Sequence, residues 1–257
     1  MSTLRRKRLL LIPIAVVAAL AVAPMASADH SWGDYHWART SNPFTLKLGD
    51  NVSSAWDSYL ATTSTDWSKS TVLDTTIVAG ATNPRSCRAT SGRVEVCSAA
   101  YGGTGWLGVA QVWISGNHIT KGTMKVNDTY FKTATYNTPA WRNLVMCQEV
   151  GHTLGLDHQD ENFNNANLGT CMDYTSNPES NQHPNAHDYE QLVSIYSHLD
   201  TTTTVSAATG PGAGGNFETP GEWGRLVSGS DDPHSVAVYE RNLGAGQRVV
   251  TFVIWAA

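Results

Sequence analysis

The residues of this chain with the most evident capacity for chemistry lie in the stretch "MCQEVGHTLGLDHQDE", residues 146–161. Positions four apart share a helix face, so Gln148 and His152 project together, with Trp141, Leu144 and Val145 on the same stripe. That face is buried. Glu149 falls beside it, where a carboxylate can serve as general base toward a metal-bound water. Gly155 can adopt the torsions of a sharp turn, which returns His158 toward the same point. A Gln/His pair alone would read as hydrogen-bonded core. Here two imidazoles and a carboxylate, those of His152, His158 and Glu149, converge on one point, an arrangement suited to metal-assisted hydrolysis. Gln148 is the discordant member, because a neutral amide oxygen donates poorly to zinc beside imidazole, thiolate or carboxylate.

The elements that must position these groups can also be read. Thr138-Pro139 places a capping residue before a proline at the first helical position, so a helix is expected over residues 139–154. A second is expected in "NAHDYEQLVSIYSHL", residues 185–199, where Tyr189, Leu192, Val193 and Tyr196 recur at helical spacing. β-branched and aromatic runs at 71–80 and 105–114 read as strands, and the class is α+β. Gly103, Gly105 and Gly108 match a dinucleotide-binding glycine pattern, but a strand follows where that site requires a helix.

Over residues 107–199 the chain resembles the metzincin zinc peptidases, particularly the matrixin branch. The signature segment, "TCMDY" in the place of the family's Met-turn, the strand "LGVAQVW" and the closing amphipathic helix carry the resemblance. It implies a twisted, mostly parallel sheet with an edge strand that pairs with substrate, an active-site helix, a Met-turn and a C-terminal helix. It also implies His152 and His158 as zinc ligands, Glu149 as general base and acid, and Met172 as support beneath the metal. Gln148 stands at the first ligand position. Tyr174 falls where astacin-like relatives carry a tyrosine that binds zinc or the oxyanion, and its phenolate is the best compensation for Gln148. Asp157 reads as a supporting or surface carboxylate, and His183 and His187 as loop histidines.

The basic cluster at residues 5–8, the apolar run after it and Ala26-Ser27-Ala28 form a secretory signal over residues 1–28, too short and too broken by Pro13 to span a bilayer. Its removal takes four basic residues and shifts the formal net charge from −5 to −9, which argues against nucleic acid as a partner. The four cysteines of an exported chain are expected in disulfides. Of three pairings, Cys87 with Cys97 closes a short loop and Cys147 with Cys171 staples the signature segment to the loop beyond it. The expected organisation is a catalytic domain at 29–200, a Thr/Gly-rich linker at 201–216 and a β-hairpin tail at 217–257 that docks on the domain or on another molecule. The expected protein is a secreted monomeric zinc endopeptidase acting on peptides or proteins, with no membrane span in its mature form. The rival readings are a pseudo-peptidase that binds extended peptides and a surface-docking protein acting through its tail.

Overall fold

Segments that alternate apolar and polar residues, or are apolar throughout, become strands, and one mixed sheet collects them. In chain order the computed structural model contains β1 (His36–Trp37), β2 (Phe44–Asn51), α1 (Asp57–Trp67), β3 (Leu73–Ala79), β4 (Val94–Ala99), β5 (Trp106–Ser115) and β6 (His118–Asn127). After these come α2 (Pro139–Thr153), α3 (Ala186–Ile195), β7 (Arg225–Gly229), β8 (Val236–Gly244) and β9 (Gln247–Trp255). The structure describes residues 30–206, 215–232 and 235–256. The expected export signal and residues 207–214 of the expected linker lie outside the described residues.

The strand order is β3-β2-β4-β6-β5-β9-β8-β7, with β1 beside the start of β6. β2, β3, β4 and β6 run parallel, whereas β5 is antiparallel to both β6 and β9. This is an α+β fold. Helix α2 packs across β5 and β6, and its apolar side closes the main core against Leu46, Leu48, Val94, Val96 and Met124.

The strand expected at the edge of the sheet is not an edge. β9 covers the outer side of β5 along its length, from Trp106 opposite Trp255 to Ser115 opposite Gln247. The composition of β5 explains why. It carries no charge, its Leu107, Ala110, Val112 and Ile114 enter the main core, and its Trp106, Val109 and Trp113 enter a second core with Phe217, Trp223, Tyr239, Val249 and Val253. Even Gln111 is buried, with its amide donating to the Phe217 carbonyl and to Thr251 Oγ1, both at 3.0 Å. Edges left in water are blunted by charge or proline. A strand apolar on both faces is instead stabilised by a neighbour, which the chain's own C-terminal segment supplies.

Candidate metal centre

Helix α2 begins where the sequence signals it, with Thr138 Oγ1 accepting from the Trp141 amide at 3.2 Å and Pro139 at the first position. It ends on Leu154 and Gly155, whose amides donate to the carbonyls of Gly151 and His152. Gly155 has φ +99°, and a Cβ there would lie 2.7 Å from the Tyr35 carbonyl oxygen, so no other residue makes this turn without strain. The turn returns His158 to His152, with ring centroids 4.4 Å apart. Cys147 and Cys171 are bonded, as are Cys87 and Cys97, in the expected pairings. The first bond ties α2 to the segment bearing Met172 and Tyr174. Met172 lies under the helix, where a Cβ on Gly151 would meet its sulfur at 2.6 Å.

Hydrogen bonding fixes the state of each group. The ring of His152 donates from Nδ1 to the Leu156 carbonyl at 2.9 Å, which leaves the Nε2 lone pair buried and without a partner. Burial first, and then His158, holds its pKa well below the ordinary value, so the imidazole is neutral and able to ligate. Tyr174 Oη sits 2.6 Å from His158 Nε2. His158 Nδ1 faces the carboxylates of Asp157 at 3.3 Å and Glu161 at 3.6 Å as ion-pair neighbours rather than hydrogen-bond acceptors. Burial opposes the charged form of His158, and those carboxylates outweigh it and raise its pKa. Asp157 thus supports the ligand segment, and burial keeps Tyr174 a neutral phenol.

Both carboxylate oxygens of Glu149 lack a hydrogen-bond partner. Burial pushes its pKa well above the usual range, with only the nearby Ala110 amide opposing. Both amide atoms of Gln148 are likewise unpartnered. Gln148 and Tyr174 share the wall of a cavity of about 110 Å³ with Trp141, Leu144, Phe163 and Ile254. Each unpaired buried polar group costs roughly 1–3 kcal/mol, and here they gather around one helical turn. A divalent cation would relieve several at once, so the residues fit a metal held by nitrogen and oxygen donors. His152 Nε2 and Gln148 Oε1 are free donors, and His158 Nε2 and the Tyr174 hydroxyl become donors once the 2.6 Å hydrogen bond between them opens. Asp157, His158 and Glu161 also bring ligand atoms within 4.8 Å of one another on the far side of the His158 ring.

Two participants were not evident in the sequence. Phe252 of β9 stacks on His152 with centroids 4.1 Å apart and planes 4° from parallel. It helps close the site, where Glu149 is 0 %, Gln148 and His152 1 % and His158 7 % exposed. Gly108 of β5 is the other, since a Cβ there would lie 2.6 Å from Val145 Cγ1 and 2.7 Å from Glu149 Oε1. Gly108→Ala should therefore push β5 away from α2, lower thermal stability by roughly 1–3 kcal/mol and disturb Glu149, as differential scanning calorimetry will show. An unchanged melting temperature would mean that Val145 and Glu149 can move aside freely. The two loop histidines keep to other partners, since His183 pairs with Asp66 at 2.6 Å and His187 stacks on His30.

No protein-family model matches this chain, and no curated protein matches it. Among solved structures it is similar to high choriolytic enzyme 1, a hatching enzyme zinc-protease from the medaka fish Oryzias latipes. The match has a TM-score of 0.35 at 12% identity and covers 63% of this chain and 94% of the other. A likeness at this level assigns nothing, and the chemistry rests on the site itself. Among the described residues no helix is long and apolar enough to cross a membrane.

Proposed function

We propose that this chain is a secreted zinc metalloendopeptidase in a closed, latent form. The observation that carries the reading is the set of unpartnered buried groups on α2, Gln148, Glu149 and His152 Nε2, with His158 Nε2 held by the Tyr174 hydroxyl beside them. His152 and His158 are the principal ligands, with Gln148 completing the set. A bound zinc ion would supply Lewis acidity, lowering the pKa of a water and polarising the scissile carbonyl. Glu149 takes the proton of the attacking water and delivers it to the leaving amine. The Tyr174 phenol donates to the developing oxyanion, and Met172 holds the floor beneath Gly151. The substrates are extended peptides or proteins presented along β5, the protein acts as a monomer, and nucleic acid has no part in it.

One observation favours the second reading, a pseudo-peptidase. β9 already occupies the strand that a substrate would use, and it does so antiparallel, with Phe252 opposite Ala110 and against His152. The residue that separates the readings is Gln148. It shares the inner face of α2 with His152, and both of its amide atoms are free, so an imidazole there should reach the same metal with little packing strain. Gln148→His should bind zinc at least about tenfold tighter, roughly 1.4 kcal/mol, in calorimetric titration against a competing chelator. Unchanged affinity in a folded variant would mean that this helix face does not address a metal, and the enzyme reading would fall with it.

A further inference from the structure

Away from this centre, β1 and β6 pair in parallel with His36 directly opposite His118, which places two imidazoles side by side on one face. The chain leaving α3 brings His198 and Asp200 to the same place. Three Nε2 atoms converge on one carboxylate oxygen. Asp200 Oδ1 lies 3.4 Å from His36, 3.2 Å from His118 and 3.8 Å from His198, and the Nε2 atoms of His198 and His36 are 3.1 Å apart. A tetrahedral zinc ion with bonds of about 2.0–2.2 Å separates its ligand atoms by roughly 3.3–3.6 Å. These four spacings bracket that edge length, and His36, His198 and Asp200 bring ligand atoms all within 4.8 Å of one another, whereas His118 lies outside that trio and adjoins it at Asp200 Oδ1.

The groups behind the cluster orient it as ligands are oriented. His36 donates from Nδ1 to the Asp34 carbonyl at 2.8 Å, so its Nε2 presents a lone pair to the cluster. Asp200 Oδ2 accepts from Arg39 Nη1 at 2.9 Å and from the Arg39 amide at 3.2 Å. Arg39 also donates to the His198 carbonyl. The second carboxylate oxygen is thus fully engaged, and Oδ1 is left to face the three rings. Hydrogen bonds alone would account for the His118–Asp200 and His198–His36 contacts, but they leave the convergence of His36, His198 and Asp200 without a cause.

We propose that His36, His198 and Asp200 form a structural zinc site that His118, 37 % exposed beside Asp200, closes as the fourth ligand by turning its ring inward. Four protein ligands leave no open position for chemistry. The site clamps β1 to β6 and to the chain beyond α3. Trp37, next to His36, donates from its indole to the Thr153 carbonyl at 2.8 Å, so the clamp also secures the C-terminal end of α2.

The test is zinc stoichiometry of the whole mature chain, purified without a metal-affinity tag and equilibrated with zinc. It compares wild type with the double variant His118→Ala/His198→Ala. Those side chains are 37 % and 51 % exposed, so their loss leaves the folded core in place. The expected result is one zinc fewer in the variant, whatever the occupancy of the α2 centre. A wild type with two and a variant with one supports both sites. A wild type with one and a variant with none supports the clamp and removes the α2 centre. Equal content in the two proteins overturns the clamp and marks the cluster as hydrogen-bonded only, and one zinc in each leaves the α2 reading intact. Zinc at about 100 times its dissociation constant should also raise the melting temperature by roughly 5–10 °C through the clamp, a shift the double variant should lack. X-ray absorption should show three imidazoles and one carboxylate at about 2.0–2.2 Å in a variant whose α2 centre has been removed by His152→Ala.

Discussion

A chain that ends at Ser206 should hydrolyse quenched peptides at least about 10²-fold faster than the full chain at equal zinc. In the full chain β5, the strand proposed to present substrate, is paired to β9 and the site residues are closed to water, so under that proposal reaction requires β9 to leave. Phe252 is 1 % exposed and stacks on His152. Burying such a ring is worth roughly 3 kcal/mol or more by truncation, and every 1.4 kcal/mol is a factor of ten in population. The open form is therefore outnumbered by at least about 10², before the contributions of Val249, Val250, Val253 and Ile254. A synthetic peptide carrying residues 215–257, added to the shortened chain, should silence it again. The shortened chain exposes Trp106, Val109 and Trp113 on an unpaired strand, which favours aggregation. Two full-length variants make the test independent of that hazard. Phe252→Ala removes the ring over His152, and Val253→Ala loosens the same strand from its other face, in the second core, without touching the site. Both should raise hydrolysis, the first more than the second. A folded, zinc-loaded shortened chain that remains silent would sink the latent-enzyme reading and leave the pseudo-peptidase.

What the sequence made legible is local. Helix α2 could be placed because Thr138, Pro139 and the stripe from Trp141 to His152 are all signals within a few residues, and the structure ends it at Thr153. Helix α3 could be placed from the stripe of Tyr189, Leu192, Val193 and Tyr196; the structure adds a reciprocal cap between Asn185 and Asp188 and stops the helix at Ile195, short of the expected 199. Beyond it the Tyr196 hydroxyl is drawn to the Leu154 carbonyl at 2.8 Å. Helix α1 gave no such signal. Its N-cap is Trp56 without a side-chain bond, and its buried face includes Thr63, Ser64 and Asp66, with Ser64 satisfied by Thr75 of β3 at 2.8 Å. β6 was hidden by Lys121 and Lys125, whose ammonium groups lie over the rings of Trp113 and Tyr101. The tail strands could be read from their apolar runs, but their destination could not, because pairing of β9 with β5 is specified by two distant segments together. The same division holds at the site. Gln148, Glu149, His152, His158 and Tyr174 come from one helix, one turn and one disulfide-bound loop, whereas Phe252 and Gly108 act from other parts of the sheet. One long-range clue was present in β5, which has no charged residue from Trp106 to Ser115 and so is poorly suited to a free edge.

Glu149→Gln, introduced into the tail-released chain, should lower peptide hydrolysis by about 10²- to 10⁴-fold, the contribution of a general base, with zinc content unchanged. Glu149 is assigned to the water and not to the metal, so a loss of zinc in the variant would reassign it as a ligand. Residual hydrolysis within about tenfold of the parent would remove the base assignment altogether. Stability supplies a second readout that does not depend on turnover. In the metal-free full chain both oxygens of Glu149 are unpartnered, and burial raises its folded pKa well above the ordinary value. A carboxyl whose folded pKa is raised stabilises the fold fully below its unfolded pKa, about 4.3. That contribution is lost as pH rises toward the folded pKa. An amide has no such titration. The melting temperature of Glu149→Gln relative to wild type should therefore climb with pH from about 4.3 upward, and added zinc should shrink the difference by favouring the carboxylate. A difference that stays flat across that window would mean the carboxylate has found a partner inside the fold, and the metal would no longer be needed to account for its burial.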